Sequence, residues 1–97
     1  MAAAFHPVAL VTGASRGIGR TIARQLAARE VRVAVHFHQN RAAAEATLAE
    51  LPGAGHALFA ADLTVATAPQ KLVAAVLRAF GRIDVLIRSR LLDRFQC

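Results

Sequence analysis

An α/β fold built on a parallel sheet is what these 97 residues predict, and three observations carry that prediction. Apolar runs at Val8 to Val11, Val31 to Phe37, about His56 to Ala60 and Ile83 to Ile87 read as strands, with helical patterns between them. A glycine-rich loop, Gly13 to Gly19, joins the first strand to the first helix. Right-handed crossovers then place two helices on one face and carry the third over the other, which predicts strand order 3-2-1-4.

Ser15 is placed to cap the first helix, Arg16 to Arg29, on which Ile18, Ile22 and Leu26 recur every four residues. Glu30 stands where a glycine would commonly end that helix, so the local turn is in question. Asn40 is placed to cap a second helix running through Ala49 to Leu51, and Pro52-Gly53 stops it. Thr67 and Pro69 begin the third, with Leu72, Val73, Val76, Leu77 and Phe80 expected on its buried side and Gly81 beyond its end. Strand four has nothing after it to cover its edge, which makes that edge an aggregation liability.

The loop carries the chemistry. Glycines at 13, 17 and 19 let the main chain turn sharply, approach a pyrophosphate and pack the new helix on the sheet. The helix N-terminus adds unpaired N–H groups and the positive end of a dipole. No Lys-Ser/Thr pair follows, so a triphosphate-binding loop is excluded and a dinucleotide is implied. Candidate binding residues here are Gly13, Ser15, Arg16, Gly17, Ile18 and Gly19.

Thr-Gly-x-x-x-Gly-x-Gly at Thr12 to Gly19, Asp62-Leu63-Thr64 after the third strand, and Gly81-Arg82-Ile83-Asp84-Val85-Leu86-Ile87 leading into the fourth resemble the short-chain dehydrogenase/reductase family. The ketoacyl reductase-like members are the nearest in kind. The resemblance implies an incomplete Rossmann-type doubly wound parallel sheet, truncated after the fourth strand. Residues 1–87 would be the N-terminal part of a dinucleotide-binding domain and residues 88–97 a tail outside the family pattern. It also implies hydride exchange between a nicotinamide cofactor and a carbonyl or alcohol, and it gives Asp62 a contact with the adenine ring. Capping a helix is the competing role for Asp62, and Asp84 reads more naturally as a structural polar residue at a strand start.

The family's Tyr-x-x-x-Lys pair has no counterpart, because the chain contains no tyrosine and its only lysine, Lys71, lies on the third helix. Where the family continues with Asn-Asn-Ala-Gly, this sequence has Arg88-Ser89-Arg90-Leu91. A reading-frame shift, a splice junction or a damaged gene would produce such a break, and a natural short paralogue is the alternative. No catalytic residue is assigned.

Cofactor choice is read at the end of the second strand, where an acidic residue would bind a ribose 2′-hydroxyl and favour NAD. His36-Phe37-His38 stands there instead, and Arg16, His38 and Arg41 are close enough in the expected fold to receive a 2′-phosphate. NADP is expected ahead of NAD. Arg16 also begins a helical stripe with Arg20 and Arg24, and His36 and His38 also fit as ordinary residues at a sheet end. The four histidines lack the clustered ligands of a metal site.

A formal charge of +6 without stacking aromatics, a zinc pattern or helix-turn-helix spacing points to nonspecific anion attraction and not to nucleic-acid recognition. The first residues lack the pattern of a secretory signal and no apolar run approaches membrane-span length, so a cytoplasmic protein is expected. A single cysteine, Cys97, excludes an internal disulfide. Two function classes remain: the cofactor-binding portion of a reductase that is not catalytic alone, or a noncatalytic product that self-associates or pairs with a complete relative.

Overall fold

The structure, a computed structural model, describes residues 6–15 and 17–88. Chain order is β1 (Val8–Thr12), α1 (Gly17–Ala28), β2 (Arg32–Phe37), α2 (Arg41–Glu50), β3 (Ala57–Ala60), α3 (Ala68–Phe80) and β4 (Val85–Arg88). The four strands form one parallel sheet in the order β3-β2-β1-β4, as the crossover argument requires. Val8 pairs with Arg32, Ala9 with Val85 and Ala34 with Ala57, so β1 has a neighbour on each side and all five of its residues are buried.

Alternation along β1 and β2 divides the core between the two faces. Ala9, Val11, Val33 and Val35 meet Ala23 and Ala27 of α1 and Leu51 at the end of α2. Val8, Leu10 and Ala34 meet Leu72 and Val76 of α3. α1 approaches the sheet through Gly19, Ala23 and Ala27, a row of small residues that permits close backbone contact. The four-residue apolar spacing therefore misplaced Ile18, which is 54% exposed beside the glycine loop, while Ile22 and Leu26 are half-buried.

Glu30 resolves the doubt about the first turn by taking the left-handed conformation itself, at φ 66°. The Glu30 amide donates to the Ala27 carbonyl at 3.0 Å and the Val31 amide to the Leu26 carbonyl at 3.1 Å, the paired bonds that normally close on glycine. Asn40 caps α2 as expected, its Oδ1 accepting from the Ala43 amide at 3.0 Å, and extended Leu51 ends the helix before Pro52. Thr67 precedes α3 without a side-chain capping bond, so Pro69 is the residue that suits that start. Gly81 closes the helix in left-handed geometry, its amide 2.7 Å from the Leu77 carbonyl.

Two expectations about α3 and β4 are corrected. Val73 and Leu77 are 37% and 43% exposed, because α3 rests on the sheet through Leu72 and Val76, and the partly buried Phe59, Ala61 and Leu63 fill in on the β3 side. β4 begins at Val85, two residues later than the apolar run, because Asp84 is occupied at the strand entry. The Asp84 carboxylate accepts from the Val8 amide at 2.9 Å and from Arg82 at 2.7 and 2.8 Å, the structural role read for it. Val85 and Leu86 stay exposed at the sheet edge, as expected. Among the described residues no helix is long and apolar enough to cross a membrane.

Candidate functional site

The carboxyl ends of the strands of a parallel α/β sheet are where ligands sit, and the glycine loop occupies that end of β1. Gly13 and Gly17 have φ 63° and 65°, backbone that L side chains adopt only at a cost, so the reversal from strand to helix depends on glycine there. A Cβ built on Gly17 meets nothing within 4 Å, which places that residue against open space, where a ligand can come close to the main chain. Helix geometry leaves the first-turn amides of α1, from Gly17 through Gly19, without intrahelical acceptors. Arg16 lies outside the described residues.

The loop is fastened by groups from three directions. Its Ala14 amide donates to the His36 carbonyl at 3.0 Å, and its Gly13 amide donates to His36 Nδ1, also at 3.0 Å. From α2, the fully buried Thr47 donates its hydroxyl to the Ser15 carbonyl at 3.0 Å. Thr12, at the top of β1, donates its hydroxyl to the Ile87 carbonyl at 3.3 Å, which ties the exit of β4 to the same end. His36 is 2% exposed, and its Nε2 lies 2.8 Å from the Ala61 carbonyl.

At the exit of β3, Asp62 accepts from the Thr64 amide at 3.0 Å and the Thr64 hydroxyl at 2.6 Å. It forms a local turn, and α3 begins six residues later, so it does not cap that helix. His38 Nε2 stands 3.4 Å from Asp62 Oδ2, an exposed pair joining the ends of β2 and β3. The Thr64 hydrogen bonds chiefly, with a smaller pull from His38, hold the Asp62 carboxyl below its ordinary range and keep it an acceptor at neutral pH.

Arg41 opens α2, its guanidinium 5.6 Å from the centroid of the Phe37 ring and its Nε 3.3 Å from Glu45. The sequence-assigned residues Gly13, Ser15, Gly17, Ile18 and Gly19 thus form one cradle, and His38 and Asp62 pair with each other. Arg41 is held by contacts of its own. Sequence reasoning passed over Thr47 and treated His36 as an ordinary strand residue. The signal in each case was a polar side chain on an apolar stripe, which must find hydrogen-bond partners once buried: Thr47 lies in line with Ala44 and Leu51, and His36 sits inside the buried run Val33 to Phe37 of β2.

A parallel sheet of this order, with a glycine cradle at the carboxyl end of β1 and a carboxylate at the exit of β3, defines the dinucleotide-fold class of proteins. The family model described as short chain dehydrogenase matches residues 7–89, and the chain belongs to that family. It is 43% identical over 91 residues to a 3-oxoacyl-[acyl-carrier-protein] reductase of Synechocystis, a match covering 92% of this chain and 37% of that protein. It is also 43% identical over 83 residues to the 3-oxoacyl-[acyl-carrier-protein] reductase FabG of Staphylococcus aureus, covering 84% and 34%.

Among solved structures, a short-chain dehydrogenase/reductase from Sinorhizobium meliloti superposes with TM-score 0.81 at 40% identity. It is covered over 40% of its length by 88% of this chain. One from Burkholderia xenovorans gives the same TM-score at 31% identity, with 35% of its length covered. The chain therefore spans between a third and two-fifths of the relatives it matches.

Proposed function

We propose that this chain is the NADP(H)-binding portion of a short-chain dehydrogenase/reductase, and that it does not catalyse hydride transfer alone. The observation that carries the reading is the cradle, with left-handed glycines at 13 and 17 and the α1 N-terminus at the carboxyl end of β1. Gly13, Ser15, Arg16, Gly17, Ile18 and Gly19 would hold the pyrophosphate, and Asp62, kept ionised, would accept from the adenine amino group. The nicotinamide, when bound, supplies or receives the hydride. Family membership and the reductase relatives support a nicotinamide cofactor.

The preference for NADP rests on the end of β2, where His36-Phe37-His38 stands in place of an acidic residue. Arg41 is held by Glu45 in an exposed i,i+4 pair worth about 0.3–0.5 kcal/mol. A charge-assisted bond to a 2′-phosphate is worth about 1.5–3 kcal/mol, so a phosphate can draw Arg41 away. The chain has no tyrosine, and a proton donor of the family's kind must come from outside these residues.

Calorimetry with NADPH, NADH, 2′,5′-ADP and 5′-ADP tests the reading. Binding of the 2′-phosphorylated ligands, at least tenfold tighter than their counterparts and weakened tenfold or more by Gly17→Asp, is the expected result. Equal affinity for NADPH and NADH overturns the NADP assignment. Carbonyl reduction by the purified chain overturns the noncatalytic one.

A second reading, a noncatalytic product that self-associates or pairs with a complete relative, is favoured by the exposed Val85 and Leu86 on edge strand β4.

A further inference from the structure

The Gly13 amide can only donate and the Ala61 carbonyl can only accept, and His36 lies between them with one ring nitrogen on each. Nδ1 must therefore be the bare nitrogen and Nε2 must carry the hydrogen, so these two main-chain partners select the neutral Nε2–H tautomer. β2 is an inner strand, His36 pairs in register with Phe59 of β3, and its side chain is 2% exposed. The ring is thus a buried strut between two loops that β1 and β3 deliver separately. One end holds the first glycine of the cradle. The other holds the residue immediately before Asp62.

We infer that His36 is a positioning residue for cofactor binding, its imidazole setting the orientation of the Gly13 amide at the entrance to the cradle. The inference rests on the cofactor reading above. Main-chain bonds to β2 already fasten both loops, the Ala14 amide to the His36 carbonyl at 3.0 Å and the Ala61 amide to the Phe37 carbonyl at 3.1 Å, and the imidazole adds the bond that aims the Gly13 amide. By turning the Gly13 amide inward, His36 settles which way that peptide faces, and the amides at the start of α1 are left to face a phosphate.

Two substitutions separate the two bonds. Asparagine places an oxygen close to the position of Nδ1 and can still accept from Gly13. Glutamine places its amide near Nε2 and can reach Ala61 alone. The experiment uses the whole chain, labelled with 15N, and titrates NADPH by calorimetry into wild type, His36→Asn, His36→Gln and His36→Phe. Circular dichroism reports the folded fraction of each.

The expected result is a tenfold or greater rise in NADPH Kd for His36→Gln and His36→Phe at unchanged folded fraction, largely rescued in His36→Asn. Equal Kd values across folded variants overturn the inference, and so does a loss in His36→Asn as large as in His36→Phe. If the variants do not fold, the wild-type imidazole spectrum decides. Nδ1 bare and Nε2 protonated, with a Gly13 amide protected from exchange, supports the strut, and a ring protonated at Nδ1 or a freely exchanging Gly13 amide overturns it. Failure of wild type to bind NADPH overturns the functional reading, and the strut is then judged by the spectrum.

Discussion

Replacing Glu30 by glycine should stabilise this protein, because Glu30 is the one non-glycine residue with positive φ among those described. Its Cβ crowds the following carbonyl in the left-handed region, a cost of roughly 1–2 kcal/mol. Glycine removes that cost but gives back roughly 0.4–1 kcal/mol through the greater freedom of the unfolded chain. The bonds that depend on the turn are all main-chain at this position. Glu30 N to Ala27 O, Val31 N to Leu26 O, and His6 Nδ1 to Glu30 O at 3.1 Å survive the substitution. A net gain of about 0.5–1 kcal/mol follows, which in a domain of this size raises Tm by roughly 2–8 °C. Urea and thermal melts of wild type, Glu30→Gly and Glu30→Ala measure it. Alanine keeps the Cβ and should leave stability close to wild type. A glycine variant no more stable than the alanine variant would refute the strain argument.

Thr47→Val keeps the shape of the side chain but removes the donor to the half-buried Ser15 carbonyl, and should cost about 1 kcal/mol in urea unfolding; a loss below about 0.3 kcal/mol would show that Ser15 finds another donor. Asp62 and Asp84 are both held below the ordinary carboxylate range, Asp84 chiefly by Arg82 and then by the Val8 amide. Their contribution is complete above the unfolded pKa of about 4 and is lost as pH falls through the lower folded values. The urea midpoint should therefore hold steady down to about pH 5 and fall below about pH 4, and Asp84→Asn should flatten that fall. Leu86→Lys should raise the monomer fraction in sedimentation, since Leu86 is 54% exposed on edge strand β4. Unfolding of the Leu86 variant would mean that the side chain is covered in solution.

The parts legible in the sequence were those governed by one local rule. Strand order followed from crossover handedness, the α2 cap from Asn40, and the cradle from glycine spacing. Burial on helices was harder, because periodicity finds the apolar stripe but not where a neighbour rests on it. α1 meets the sheet through Gly19, Ala23 and Ala27, so its larger Ile18 is turned outward. α3 is seated by Leu72 and Val76, and Val73 and Leu77 miss the contact. At the site, the roles of His36 and Thr47 depend on partners 23 and 32 residues away in sequence, which no local pattern encodes. Arg41 was read as free charge, whereas Phe37 and Glu45 already engage it.

Asp84 reaches across 76 residues to the Val8 amide, and the Asp84 amide returns a bond to the Val8 carbonyl at 2.8 Å. That reciprocal latch makes the order of assembly a consequence of topology. β1 and β2 can meet by closing a loop of some two dozen residues, while the β1–β4 seam closes one about three times longer and costs about 1 kcal/mol more in chain entropy. β1 therefore spends the early part of folding with one hydrogen-bonding edge bare, and that edge is also the template for a second molecule. Concentration during refolding should decide between the two outcomes: dilute chains complete the latch within themselves, and crowded ones find each other first.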